Sequence, residues 1–191
     1  MSLSLANLAL RDRLRAQALR DPLTGLYNRR HLEEAFERHL AQAERDGSAL
    51  SLIMIDLDHF KAINDNHGHA MGDAVLASVG TAIAQGLRPC DIACRYGGEE
   101  FAILLPDCSP SSARSRAEEL RERIERLSST HRIPVSASIG VGTSPDTSSG
   151  ASLFADADRA LYRAKKEGRN KVIDCSPSTG KTPNPVTVRA A

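Results

Sequence analysis

The sequence predicts an α+β domain with a ferredoxin-like, palm-type antiparallel sheet flanked by helices, and three observations carry that expectation. Short runs rich in Ile, Leu and Val alternate with longer stretches whose apolar residues recur every three or four positions, as strands between amphipathic helices do. The segments follow in the order β-α-β-β-α-β with an extra helix and strand, the split pattern that lays helices on one face of an antiparallel sheet. The two middle strands are separated by little more than Gly97-Gly98, short enough for a hairpin.

Residues 1–20 read as the remnant of a helical stalk. Leu3, Leu10 and Leu14 keep a seven-residue seam, while Asn7 and Gln17 interrupt it. Asp21-Pro22 and Thr24-Gly25 make a turn and open a domain expected to span 21–174. A helix with Leu32, Ala35, Phe36, Leu40 and Ala43 on one face ends at Asp46-Gly47. Leu50–Leu57 is apolar and short enough for a buried strand. A loop is expected across Asn64–Gly68, then a helix with Met71, Val75, Leu76, Val79 and Ile83 inward. Asp91–Tyr96 and Phe101–Leu105 are the hairpin strands. Ser109-Pro110 starts a helix, with Pro where its missing N–H costs nothing, and Ala113, Ala117, Leu120, Ile124 and Leu127 line it. Val135–Val141 reads as a strand. Leu153, Ala157, Leu161 and Ala164 mark a last helix that stops at Gly168, and Lys171–Asp174 as a closing strand. Residues 175–191 turn to Pro, Ser, Thr and Gly and are expected to be a disordered tail.

The chain has 191 residues, a formal net charge of +1 and 41% hydrophobic residues. That supports an ordinary core but no broad basic field for nucleic acid or an anionic membrane, so an anionic ligand needs a local cluster of cations. No run approaches the ~20 apolar residues that cross a bilayer, and no secretory signal pattern is seen. Cys90, Cys94, Cys108 and Cys175 lack metal-finger spacing and read as free thiols of a reducing cytoplasm.

Two acidic segments carry the chemistry. Asp56 ends an apolar strand and Asp58 follows two residues later, on the same face of an extended chain. A carboxylate there is costly unless it is paired or binds a cation. Glu99-Glu100 follows Gly97-Gly98, a pair able to adopt positive φ and to leave room for a ligand. Taken singly, these are a strand cap and a solvated turn. Together, on neighbouring strands, they read as a site for Mg²⁺, which prefers oxygen ligands and phosphates. Lys61 stands close behind, and Lys165, Lys166 and Arg169 surround the end of the last helix. Those last three either complement the helix dipole, with Gly168 as cap, or grip a triphosphate, and residue types leave both open.

Six segments together resemble the GGDEF family of diguanylate cyclases, in its Glu-Glu version. They are Asp21-Pro22-Leu23-Thr24-Gly25-Leu26-Tyr27-Asn28-Arg29-Arg30, Asp56 through Asp65, Gly68 through Asp73, Arg95-Tyr96-Gly97-Gly98-Glu99-Glu100-Phe101, Ser138-Ile139-Gly140, and Ala157 through Tyr162 with Lys165 and Gly168-Arg169-Asn170. One such motif would be weak, but six in this order leave little room for chance.

The resemblance implies that 21–174 is a catalytic domain that condenses two GTP into cyclic di-GMP and pyrophosphate. Asp56, the Leu57 carbonyl, Glu99 and Glu100 match the metal positions, for Mg²⁺ or alternatively Mn²⁺, and Glu99 and Glu100 the catalytic ones. Asn64 and Asp73 match the guanine-reading positions; the turn and cap roles they would otherwise have are the plainer reading. Phe60, Lys61, Lys165 and Arg169 match phosphate-contacting positions. Arg88-Pro89-Cys90-Asp91 matches the family's RxxD product-inhibition site, although the following helix has Glu118-Glu119, between Arg116 and Arg121, where a basic residue often stands. Each domain holds one GTP, so a homodimer is implied, with no role for nucleic acid and no membrane segment. The expected location is the cytoplasm, as the output part of a larger sensor protein. Rival readings are a receptor for cyclic di-GMP or GTP that has lost catalysis, a polymerase-like enzyme and a structural domain. The intact Gly-Gly and acidic pair argue against the first, and the short chain without a basic channel argues against the second.

Overall fold

The computed structural model describes residues 19–144 and 150–175. The expected stalk, apart from its last two residues, and the tail beyond 175 lie outside them. The elements are β1 (Tyr27–Asn28), α1 (Arg29–Asp46), β2 (Leu50–Leu57), α2 (Phe60–His67), α3 (His69–Ala84), β3 (Ile92–Arg95), β4 (Glu100–Pro106), α4 (Pro110–His131), β5 (Ala137–Ser144), α5 (Gly150–Lys166) and β6 (Val172–Asp174). Local chemistry sets several of their ends. The Asn28 side chain accepts from the His31 N–H at 3.1 Å and caps α1. Gly47, at φ 65°, closes the same helix. Ser109 caps α4 ahead of Pro110.

One sheet of order β1-β3-β4-β2-β5-β6 forms the centre. The inner four strands are antiparallel, as the split pattern requires. The edges depart from it: β1 runs parallel to β3 and β6 parallel to β5, so the sheet is mixed. With two residues, β1 is too short to show an alternation, so periodicity does not reveal it.

The helices cover both faces rather than one. Alternation along β2 sends Ile53, Ile55 and Leu57 toward Val75, Leu76, Val79 and Ile83 of α3 and Ala117, Leu120 and Ile124 of α4. Leu50, Leu52 and Met54 face Leu32 and Phe36 of α1 and Leu153, Ala157 and Leu161 of α5. All eight residues of β2 are buried, as a central strand covered on both faces must be.

Two further differences bear on function. The expected loop across Asn64–Gly68 is the end of a helix: Phe60 and Ile63 give α2 a buried face, and only Gly68, at φ 82°, breaks the chain before α3. In addition, β5 begins two residues later than the apolar run suggests and continues to Ser144. Along β5, Gly140 and Gly142 face α5. A Cβ on Gly140 would stand 2.1 Å from the Ala157 carbonyl oxygen, and one on Gly142 would stand 2.9 Å from that of Leu153. Helix and strand therefore meet backbone to backbone.

Candidate active site

The end of β2 brings together residues far apart in sequence. Asp56 stands opposite Glu100 across the β2–β4 ladder and opposite Ser138 across β2–β5. Its carboxylate is nearly buried and forms a 2.7 Å ion pair with Lys165 from the last turn of α5. Glu99 lies in the β3–β4 turn, whose backbone is tied to β2 by the Leu57 N–H donating to the Glu99 carbonyl at 3.3 Å. Burial raises the Glu99 carboxyl pKa above the usual range, and the Asp56 carboxylate raises it further, with Lys165 opposing and Glu100 adding. Two carboxylates thus crowd one ammonium. Such a cluster of oxygen donors with excess negative charge fits a hard divalent cation.

Glu100 shares the sheet face of Asp56 but bends toward Gly97, where a Cβ would come 2.6 Å from its Oε2. Among the described residues no three His, Cys, Asp or Glu side chains close to metal-ligand spacing, so the carboxylates of Asp56, Glu99 and Glu100 do not reach it together. The glycine pair works differently from expectation. Neither Gly97 nor Gly98 has positive φ. Gly97 supplies space for Glu100, and Gly98 faces open space. The turn is held by the Tyr96 N–H donating to the Glu100 carbonyl at 2.8 Å and by Arg95 donating to the Gly98 carbonyl at 2.8 Å. Arg95 also forms an ion pair with Asp21 at 3.3 Å, and the Asp21 carboxylate accepts from the Thr24 N–H and hydroxyl, each at 2.8 Å. Reading residue types missed this tie; an acidic residue at a turn start, followed by Thr three positions on, was its only local signal.

The guanine-type positions meet where α2 and α3 abut. Asn64 is half-buried and Asp73 exposed. A Cβ on Gly72 would fall 2.0 Å from Asn64 Oδ1, so the Asn64 amide packs against α3 at Gly72, the residue before Asp73. The phosphate-type positions divide. Phe60 is 6% exposed and its ring belongs to the core, which leaves only its backbone for a ligand. It is the first residue of α2, whose N-terminus has no side-chain cap because His59 precedes it at φ 58°. Lys61 and Arg169 are exposed.

Asp58 does not join Asp56. It is 5% exposed and accepts from the hydroxyls of Ser138 and Ser136 at 2.7 and 2.8 Å and from the Asn170 N–H at 3.0 Å.

The RxxD segment lies apart, after α3. Arg88 is exposed, and its N–H donates to Asp91 Oδ2 at 2.6 Å. The Asp91 side chain is fully buried and forms an ion pair with Arg116 of α4, which also donates to the Gly86 carbonyl at 3.1 Å. The carboxylate of the expected product-inhibition motif is therefore already engaged within the chain. Glu118 pairs with Arg121 and Glu119 with Arg123. A shallow hollow beside this loop is lined by Leu87, Leu120, Arg116, Glu119 and Arg123. Among the described residues no helix is long and apolar enough to cross a membrane.

Known proteins match this arrangement. The family model "Diguanylate cyclase, GGDEF domain" matches residues 18–171. The diguanylate cyclase DgcP of Pseudomonas aeruginosa is 41% identical over 161 residues, covering 83% of this chain and 24% of DgcP. This chain thus spans a fraction of that relative's length. The coiled coil and GGDEF domain of DgcB from Caulobacter crescentus, solved with c-di-GMP, superposes with a TM-score of 0.83 at 33% identity, covering 91% of this chain and 94% of that one. The active GGEEF domain of a diguanylate cyclase from Vibrio cholerae gives a TM-score of 0.74 at 33% identity, covering 79% and 98%. With a family model matched over most of its length and the signature turn beside the end of its central strand, the chain belongs to the diguanylate cyclase GGDEF-domain family.

Proposed function

We propose that the chain is a diguanylate cyclase that condenses two GTP into cyclic di-GMP and releases two pyrophosphates. The observation that carries this reading is the convergence of Asp56, Glu99 and Lys165 at the end of β2. Asp56, the Leu57 carbonyl and Glu99 would hold Mg²⁺, or Mn²⁺ in its place, with Glu100 turning in as a further ligand. A divalent cation there supplies neutralisation of charge on the phosphates and alignment of the attacking and leaving oxygens.

The chain's own residues do the rest. Asp73 accepts from guanine N1–H and N2–H₂, donors that adenine lacks, so the wrong base leaves a carboxylate unpaired. Asn64 completes the guanine contact. The uncapped α2 N-terminus, at the Phe60 and Lys61 N–H groups, suits a phosphate, and the Lys61 side chain, Lys165 and Arg169 add positive charge. Lys165 moves from Asp56 to a phosphate oxygen. Glu100 accepts the proton of the 3′-hydroxyl as its oxygen bonds to the α-phosphorus of the second GTP and the bond to pyrophosphate breaks. Two such transfers close the ring. Each domain holds one GTP, so two copies face each other, and residues 1–20 serve as the dimerising stalk. The coiled coil joined to the GGDEF domain in DgcB supports that part.

Product inhibition belongs to the same reading, with unequal roles for the RxxD residues. Arg88 is the guanidinium that meets a phosphate or guanine edge, while Asp91, held by Arg116, shapes the loop that presents it.

The test is incubation of the chain with GTP and Mg²⁺ at several protein concentrations, with products separated by chromatography. Cyclic di-GMP formed at a specific rate that rises with protein concentration is expected. Nucleotide binding without turnover at every concentration would favour the receptor reading. Undiminished synthesis by Glu100→Ala would sink the assignment.

A further inference from the structure

Asp58 is a buried charge for which the proposed reaction has no use. Its three donors are neutral and come from three places: Ser136 before β5, Ser138 within it, and the Asn170 backbone after α5. Its own N–H donates to the Ser136 carbonyl at 2.9 Å. A carboxylate removed from water needs such bonds, and those made to a charged acceptor are the strong ones.

One of the three reaches an unusual stretch of backbone. Gly168, Arg169 and Asn170 follow one another at φ 111°, 61° and 44°. Non-glycine residues stay in that region only where their surroundings over-determine them. Asn170 is held from every side: Asp58 takes its N–H, Arg121 donates to its Oδ1 at 2.9 Å, and its Nδ2 donates to Glu125 at 2.8 Å. Arg169 is exposed, with only its backbone N–H tied, to the Ala164 carbonyl at 2.9 Å. The loop is therefore anchored on both sides of a side chain that projects freely. Its anchor lies two residues beyond Asp56.

We propose that Asp58 is a positioning residue. It fixes the α5–β6 loop to the end of β2 so that Arg169 meets the triphosphate that Asp56 and Glu99 face. The inference rests on Arg169 being a phosphate contact. Asp58 touches no substrate.

The test measures binding of α,β-methylene GTP with Mg²⁺, and of guanosine, to the full chain. Asp58→Asn is expected to weaken the triphosphate about tenfold, the worth of one lost charge-assisted contact, and to leave guanosine unchanged. Arg169→Ala is expected to do the same, and the double variant to be little worse than either, because both remove one interaction. Ser138→Ala, which cuts the same carboxylate's bond to the strand, is expected to lower the melting temperature and spare triphosphate affinity. If Arg169→Ala weakens the triphosphate but Asp58→Asn does not, or if Asp58→Asn weakens guanosine equally, the positioning role is refuted while the GTP site stands. If Arg169→Ala has no effect, the phosphate reading of Arg169 falls and the inference with it. Asp58→Glu keeps the charge on a longer arm and carries the same expectation, should Asp58→Asn not fold.

Discussion

Replacing Gly72 by Ala separates stability from recognition at one atom. Gly72 lies inside α3, where Ala is favoured over Gly by about 0.5–1 kcal/mol. The added Cβ would stand 2.0 Å from Asn64 Oδ1 and 3.1 Å from the Phe60 ring. The ring gives by a few tenths of an ångström, but the amide oxygen must leave. Asn64 is short, half-buried and free to rotate about its side-chain bonds, so relief costs the fold little. It costs the guanine contact, about 1–1.5 kcal/mol for one hydrogen bond, or about tenfold in affinity. Gly72→Ala should therefore melt at or above the parent temperature, raise KM for GTP about as much as Asn64→Ala does, and leave kcat much less affected. Gly80→Ala is the contrast. Its Cβ would stand 2.7 Å from the Thr24 carbonyl oxygen, on a backbone that Asp21 holds through Thr24. No side-chain rotation relieves that clash, so overpacking should cost about 1–3 kcal/mol of stability and spare KM. Thermal unfolding and steady-state kinetics on the same samples decide. An unchanged KM in Gly72→Ala beside a raised one in Asn64→Ala would refute the reasoning.

Arg116→Ala leaves the Asp91 carboxylate buried without its cation and should cost about 3 kcal/mol in chemical denaturation, since opening a buried pair strands a charge; a loss indistinguishable from zero would mean the pair does not anchor the loop. Arg88→Ala should leave the initial rate intact and weaken product inhibition, read from progress curves with added cyclic di-GMP; equal inhibition in variant and parent counts against the inhibitory role. Glu99 gives a pH prediction. Its folded pKa lies above the unfolded one, so ionisation costs the folded state more, and stability falls as pH rises from the unfolded value through the raised one. Without divalent cation, Glu99→Gln should therefore gain stability over the parent at neutral pH and lose that advantage at acid pH; an advantage that grows on acidification would reverse the sign of the argument.

Much of this was legible where a residue's role follows from its local pattern. The apolar run of β2, the Gly47 and Gly168 stops, the Ser109-Pro110 start and the hairpin flanking Gly97-Gly98 all obey short-range rules. What was hidden depends on distance. Two-residue β1 exists only because β3 offers an edge. That helices occupy both faces was hidden because a strand buried on both sides shows no alternation to reveal it. The site divides the same way. Asp56 and Glu99 could be paired from their strands, but Lys165 reaching Asp56, Arg116 taking Asp91, and Asp58 holding Asn170 join residues separated by 25 positions or more. Phe60 was marked out by the family resemblance, yet its ring went to the core and only its place at the start of α2 is left to serve a ligand.

The seating of α5 on Gly140 and Gly142 has a consequence for how such a domain can diverge. Most helices rest on a cushion of side chains, and substitutions in that cushion let them slide or tilt. Here the cushion is missing at two steps, and the helix backbone rides directly on the strand. Its travel along β5 is indexed by contacts that no change of neighbouring residue alters, and Lys165 at its far end is indexed with it. Sequence drift can repaint the outer surface of the helix, where Tyr162 stands exposed, without moving that ammonium away from Asp56.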